Sequence, residues 1–309
     1  MTLLSLLIAL AIERILVPSK HWQFSTYLAQ YFNSLNRIGR SKAWFEQPLG
    51  VVIIAAIPAL LVALLLNVIE GAFLGLLSLI VTTLIVILAM GCQQARQAYK
   101  KFLRAACRGD ETACFIVAQE MGAVAPKVEG EAETAPEQEH AQLEYGVGQA
   151  LTWINYRYYI AVMLWLIIFG PVGVVFYVGL RTLVDWHQDE KGNDAQVDAD
   201  FEGAVQPQRS IADQVLGWLD YIPVRIASLG LTFVGNFSKA MPVWLENVFN
   251  TKDSAKSHLI RISLVAEDID DPKNPTCVVS VTKFVEVAKR NVLLVLSFIA
   301  ILTLYGSIS

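Results

Sequence analysis

Charge is what this chain has least of. Only 17% of its 309 residues are Asp, Glu, Lys or Arg, against about 25% in an ordinary soluble domain, while 55% are hydrophobic. A globular surface cannot absorb that surplus, so a lipid bilayer is expected to take it, and a disordered chain is excluded. Cysteine and histidine are also scarce. Cys92, Cys107, Cys114 and Cys277 are irregularly placed, which excludes a secreted disulfide scaffold, and Cys107 with Cys114 lacks metal-ligand spacing. His21, His140, His187 and His258 are scattered, so no metal site is expected. A net charge of −4 argues against nucleic acid as a partner. Several motifs are missing altogether: a phosphate-binding loop, a dinucleotide fingerprint, a nucleophile elbow and a His-Glu-x-x-His pair. Conventional nucleotide binding at such a loop, serine hydrolysis and zinc proteolysis are thereby disfavoured.

What the chain does have is long uncharged runs. Crossing about 30 Å of hydrocarbon takes roughly 20 helical residues. Gln47 to Ile69 and Gly71 to Ala95 are uncharged and adjacent, and read as a helical hairpin with its tip at Asn67 to Gly71. Tyr158 to Leu180 and Asn291 to Ser309 are uncharged as well. Met1 to Ile12 is apolar but is interrupted by Glu13 and Arg14; it lacks a basic start and a small-residue cleavage site, so it reads as a retained helix. The expectation is an all-α, polytopic membrane protein of a single domain, 1–309. Its four or five spans lie near 1–17, 48–68, 71–92, 158–180 and 291–307, separated by polar loops at 18–47, 93–157 and 181–290.

Basic residues orient these spans. Lys20, Arg37, Arg40 and Lys42 precede the hairpin, and Arg96, Lys100, Lys101, Arg104 and Arg108 follow it, whereas its tip has none. The positive-inside rule places both basic segments in the cytoplasm and the tip outside. Beyond Tyr158 the path stays open, because Gly170, Pro171 and Gly173 break the run in its middle. A full crossing puts Arg181 outside; a re-entrant turn returns it to the cytoplasm. Ile222 to Val234, apolar except for Arg225, lies on or dips into the membrane.

Among the polar stretches, Lys127 to Glu144, His187 to Gln208 and Glu267 to Thr276 have the composition of solvated linkers. The acids of the last one do not follow a calcium-loop pattern. Arg96 to Ala106 and Glu111 to Met121 have helical periodicity, the first with Tyr99, Phe102 and Leu103 opposite its basic residues, as in a juxtamembrane helix.

Some polar residues sit where a purely apolar account is costly. A charge at mid-bilayer costs about 2.5 kcal/mol or more, which makes Glu13 and Arg14 candidates unless they reach the headgroups. Trp153, Asn155 and Arg157 cluster just before a span. An aromatic belt accounts for Trp153 but not for Asn155. In Leu219-Asp-Tyr-Ile-Pro-Val-Arg225, Asp220 reads as an N-cap and Pro223 as a first-turn residue. Arg225 then stands near freed N–H groups, forming either an anion cradle or an ion pair with Asp220.

Taken together, Ile12-Glu-Arg14, His21-Trp-Gln23, Arg108-Gly-Asp110, Trp153-Ile-Asn-Tyr-Arg157, Leu219 to Arg225 and Leu302-Thr-Leu-Tyr-Gly306 resemble the AmpE family, in the same order along the chain. The resemblance implies a bacterial inner-membrane protein associated with induction of chromosomal β-lactamase, which senses or signals the state of cell-wall recycling beside the amidase AmpD. It adds His21, Arg108 and Asp110 to the candidate residues. AmpE in turn looks similar to the CobD/CbiB membrane proteins of cobalamin synthesis. Here Ile222-Pro-Val-Arg225 is kept, but Arg181-Thr-Leu-Val-Asp185 departs from that wider pattern, with Arg181 in place of an asparagine and Asp185 displaced by one position.

Three functions follow as expectations. The first is a non-catalytic membrane regulator or sensor whose partners are membrane lipids, cell-wall recycling intermediates or a regulatory protein. The second is an amide-forming membrane ligase using Glu13, Arg14, Asp110, Asn155, Arg157, Asp185, Asp220 and Arg225. The third is a small-anion transporter. No cofactor is evident, and a nucleotide or phosphate is the candidate ligand.

Overall fold

A computed structural model describes residues 2–15, 24–37, 42–69, 75–123, 136–195, 210–251, 253–267 and 279–306, and among them there is no strand. The elements are α1 (Thr2–Ile15), α2 (Phe24–Arg37), α3 (Lys42–Phe45), α4 (Pro48–Ile69), α5 (Leu76–Ala89), α6 (Gln93–Arg108), α7 (Glu111–Glu120) and α8 (Pro136–Asn155). A π-helical turn (Tyr156–Ile160) leads into α9 (Ala161–Ala195), followed by α10 (Ile211–Leu219), α11 (Tyr221–Val234), α12 (Phe237–Asn247), α13 (Ala255–Ala266) and α14 (Val279–Leu304).

Four helical stretches are long and apolar enough to cross a membrane: Pro48–Ile69, Leu76–Arg108, Gly146–Gln188 and Val281–Leu304. The expected membrane protein is therefore what folds. At 14 residues, roughly 21 Å, α1 is shorter than a full span.

Two linker expectations need correction. Pro136 opens α8, so 136–144 is helical, because proline fits a first helical turn and the Ala, Glu and Gln that follow are good helix formers. Likewise α9 continues to Ala195 through the supposed linker start at His187. Residues 268–276 of the acidic stretch and residues 70–71 of the hairpin tip lie outside the described residues.

The chain divides into two compact units. One comprises 1–91, 162–221 and 302–309. In it α1 packs on α5, α3 and α10 pack on α4, and Gly179 of α9 lies against Ala55 of α4. Its feature of greatest consequence is the break in α9. Gly170 has φ 66° and ψ −162°, a region of backbone space open essentially to glycine alone. Beyond it the chain reverses: the ring of Trp165 stacks on Tyr177 with centroids 6.0 Å apart, and meets Phe176 edge-on at 6.4 Å. Residues twelve apart on a straight helix would be about 18 Å apart. Pro171 and Val172, at the turn, share the lining of a cavity of about 330 Å³ with Leu66, Asn67 and Ser78, near the facing ends of α4 and α5. Ten residues on, Arg181 donates to the Ala89 carbonyl at 3.1 Å, at the opposite end of α5. The run 158–180 is thus a re-entrant hairpin, and Arg181 returns to the end of α5 from which the basic helix α6 departs.

The other unit comprises 92–161 and 222–301. Its core joins Phe102 and Ala105 of α6, Cys114, Val117 and Ala118 of α7, Val147 of α8 and Val281 of α14. This confirms α6 as an amphipathic helix with Phe102 inward and Lys100, Lys101, Arg104 and Arg108 exposed. Within this unit α13 packs on α8 and α12.

Candidate functional site

The candidate residues fall in both units and are taken unit by unit. In the first, Glu13 is a buried residue of α1's last turn, and Arg14 follows it there. His21 lies outside the described residues. Asp185 is half-buried on α9 beside an aromatic group: Trp186 donates to Asn33 at 2.9 Å, and its ring lies 6.2 Å from Phe32 and 5.5 Å from Phe45. Asp220 is buried at the junction of α10 and α11, its amide bonded to the Leu216 carbonyl at 2.8 Å. It directly precedes α11 and forms the C-cap of α10, with helical φ −76° and ψ −10°.

In the second unit, Arg108-Gly-Asp110 resolves into a joint between two helices. Gly109 ends α6 at φ 69°, where its amide reaches back to Ala105 and Ala106. Asp110 then caps α7 by accepting from the Ala113 amide at 3.0 Å. A left-handed glycine followed at once by an Asp cap turns the chain within two residues and satisfies end groups of both helices.

Trp153 and Arg157 are brought together where α8 widens into its π turn. The Arg157 guanidinium lies 5.6 Å from the Trp153 ring centroid, and Trp153 stacks on Tyr156 at 5.2 Å. Asn155, the last residue of α8, is half-buried. On the next turn Arg96 of α6 donates to the Tyr159 hydroxyl and lies over its ring at 5.8 Å. Lys256, in the first turn of α13, completes the arrangement. Burial, and then the Arg157 charge, hold its ammonium pKa below the usual lysine value. Arg157 against the indole, with the Lys256 charge within its electrostatic reach, forms an anion-attracting surface.

Arg225 has a different environment from the one its sequence suggests. It is buried, and its Nε donates to the Val248 carbonyl while Nη2 donates to the Asn250 carbonyl at 2.8 Å. A cation thus meets the negative end of α12. These donors face carbonyls, so the fork serves to close α11 onto α12.

Around it lies a network that the sequence did not reveal. Ser228 donates to the Arg225 carbonyl at 3.0 Å and meets His258 Nε2 at 3.1 Å, while Trp244 Nε1 donates to Ser228 at 3.0 Å. His258 is buried with no hydrogen-bond partner at Nδ1. Burial, then Arg225 and Arg261, lower its pKa to about 4 against the opposing pull of Asp253. Its imidazole is therefore neutral at pH 7. Ser228 and His258 lie 30 positions apart, and no local pattern couples them.

Against known proteins, the whole chain, residues 1–309, matches the family model described as regulatory signalling modulator protein AmpE. The chain belongs to the AmpE family. It is 30% identical over 315 residues to the protein AmpE of Shigella flexneri, covering all of both sequences. No solved structure matches it. Membership, with four helical stretches long and apolar enough to cross a membrane, makes this a membrane protein of a regulatory signalling family, and Arg108-Gly-Asp110 serves here as a helix joint.

Proposed function

We propose that this chain is a non-catalytic regulator of the bacterial inner membrane that links the state of cell-wall recycling to β-lactamase induction. The observation that carries the reading is the family match over the complete 309 residues. The polar geometry supports it: Asp110 and Arg225 are engaged at helix ends, and Arg181 on a backbone carbonyl. On this reading a recycled wall fragment or a membrane-borne signal shifts the helices, and the exposed basic face of α6 meets a regulatory protein. Deleting the gene and measuring β-lactamase activity after exposure to a cell-wall-active drug tests it. The expected result is altered induction; identical induction in deletion and parent strains overturns the reading.

One observation favours a ligand class as well. Arg157 over Trp153, with Lys256 nearby, suits a phosphate-bearing or nucleotide-like anion. The expected outcome is phosphate-dependent thermal stabilisation of the detergent-purified chain, abolished by Lys256→Gln; no stabilisation in either protein counts against such a ligand.

A further inference from the structure

α11 and α12 form a short antiparallel pair. Arg225 near the start of α11 reaches Val248 and Asn250 beyond α12, Trp244 bridges to Ser228 midway, and the rings of Phe233 and Phe237 stack at 5.5 Å across the turn. Behind the pair stands α13. The Asn236 amide at the turn donates to the Ala266 carbonyl at 2.7 Å, and Leu259 and Ile262 are buried. α14 crosses the same inner side, where Asn291 Nδ2 donates to the Ala227 carbonyl at 2.9 Å. At this crossing a Cβ at Gly230 would collide with the Asn291 carboxamide oxygen, so any side chain there would have to displace that carboxamide.

The outer face is different in kind. Ile222, Ile226 and Phe233 recur along α11 at positions 0, 4 and 11, on one side of a helix, and each is exposed. Phe237, Leu245 and Phe249 continue the exposed apolar surface along and beyond α12, Phe249 being 86% exposed. Six exposed large apolar side chains along two adjoining helices, with Phe233 and Phe237 in contact, mark an interaction site.

The crossing with α14 gives its depth. Asn291 is the first residue of the uncharged run that ends the chain, directly after Lys289 and Arg290. Arg290 pairs with Glu286 at 3.8 Å and with Glu267 at 4.0 Å, just past the end of α13. The charged level of α14 is thus also the level of the α11–α12 turn, and α11 passes over the point where hydrocarbon begins. An apolar helix face at that depth meets the boundary between headgroups and acyl chains.

We propose that α11 and α12 lie in the boundary of the leaflet at the basic end of α14, with Ile222, Ile226, Phe233, Phe237, Leu245 and Phe249 against lipid tails. The pair, at roughly 20 Å for α11, is too short to cross. Membrane-bending or lipid-packing stress would therefore act on it directly, and reach α13 and α14 through Asn236 and Asn291.

The test uses the full chain, its native cysteines replaced by alanine, in vesicles of phosphatidylcholine and phosphatidylglycerol. Single cysteines replacing Phe233, Phe249 or the exposed Glu246 carry a nitroxide, and power saturation compares molecular oxygen with a water-soluble nickel chelate. Oxygen is expected to relax the labels at 233 and 249 more than the chelate does, with the order reversed at 246. Chelate relaxation at 233 and 249 matching that at 246 would overturn the proposal. So would spin–spin broadening at both sites that disappears on dilution with unlabelled chain, since a second copy would then cover the face. Both probed phenylalanines are exposed, so the labels themselves do not disturb the core.

Discussion

α4 and α9 look alike as sequence and behave oppositely as structure. Both contain an uncharged run of 20 residues or more. α4 continues unbroken through Pro58 and leaves most of its surface uncovered by the rest of the chain, with 28% of its most apolar window buried. The corresponding window of the Gly146–Gln188 stretch is 44% buried, and it folds back at Gly170. A crossing helix satisfies its own backbone and needs only apolar length. A reversal inside the membrane needs protein around it, and particular residues to accept the turn. Here these are Gly170 for the backbone, Trp165 and Tyr177 for the inner stack, and Arg181 for the Ala89 carbonyl. The α11–α12 pair belongs with α9, since Arg225 closes it.

The largest effect expected from this contrast is all-or-none. In a background lacking the native cysteines, a cysteine at Val68, near the end of α4, and one at Gln188, on the returning arm of α9, should face opposite sides of the membrane. A membrane-impermeant maleimide applied to intact cells should label position 68 alone. Labelling of both from outside would mean that the 158–180 run crosses, and the contrast would collapse.

Next in size is Arg225→Ala. Charge-assisted bonds to two carbonyls disappear and the end of α12 is left without its cation, so unfolding should become easier by about 3–5 kcal/mol. Arg225→Lys should recover only part of this, because an ammonium lacks the planar fork. Thermal melting in detergent micelles reads both. If Arg225→Ala melts with the parent protein, the closure of the α11–α12 pair rests on other contacts.

His258 probes the same region without substitution. Its folded pKa of about 4 lies below the usual 6.5, so between these values the unfolded chain holds the proton that the folded chain excludes. Stability is therefore level above pH 6.5 and falls as pH drops toward 4, by up to about 3 kcal/mol. Melting at pH 5 should occur below melting at pH 7, and His258→Gln should flatten that difference. A parent protein with the same melting temperature at both pH values contradicts the buried neutral imidazole.

What was legible in the sequence follows the same division. The spans could be read because an uncharged run is a local property; α6 and α7 likewise, from their own periodicity. Gly170, Pro171 and Gly173 raised the choice between crossing and re-entry without deciding it, since the deciding contact joins Trp165 to Tyr177 through the fold. Arg225 suggested an anion because its carbonyl partners lie 23 and 25 residues away. Ser228 with His258 left no local trace. Arg108-Gly-Asp110 carries part of the resemblance to the AmpE family, yet glycine followed by Asp between two periodic stretches is itself a signal for a helix end and a helix start.

The smallest effect should be found on α4, and it is the control on which the contrast depends. Leu61 is 62% exposed on a helix surrounded by acyl chains. Lipid tails are as apolar as leucine, so removing its side chain leaves no cavity in protein and exposes nothing to water. Leu61→Ala should move the melting transition by less than about 0.5 kcal/mol, as expected for a substitution away from packed contacts. A larger loss would show that this face of α4 is covered by protein in the membrane, placing the crossing helix in the same class as the folded-back ones.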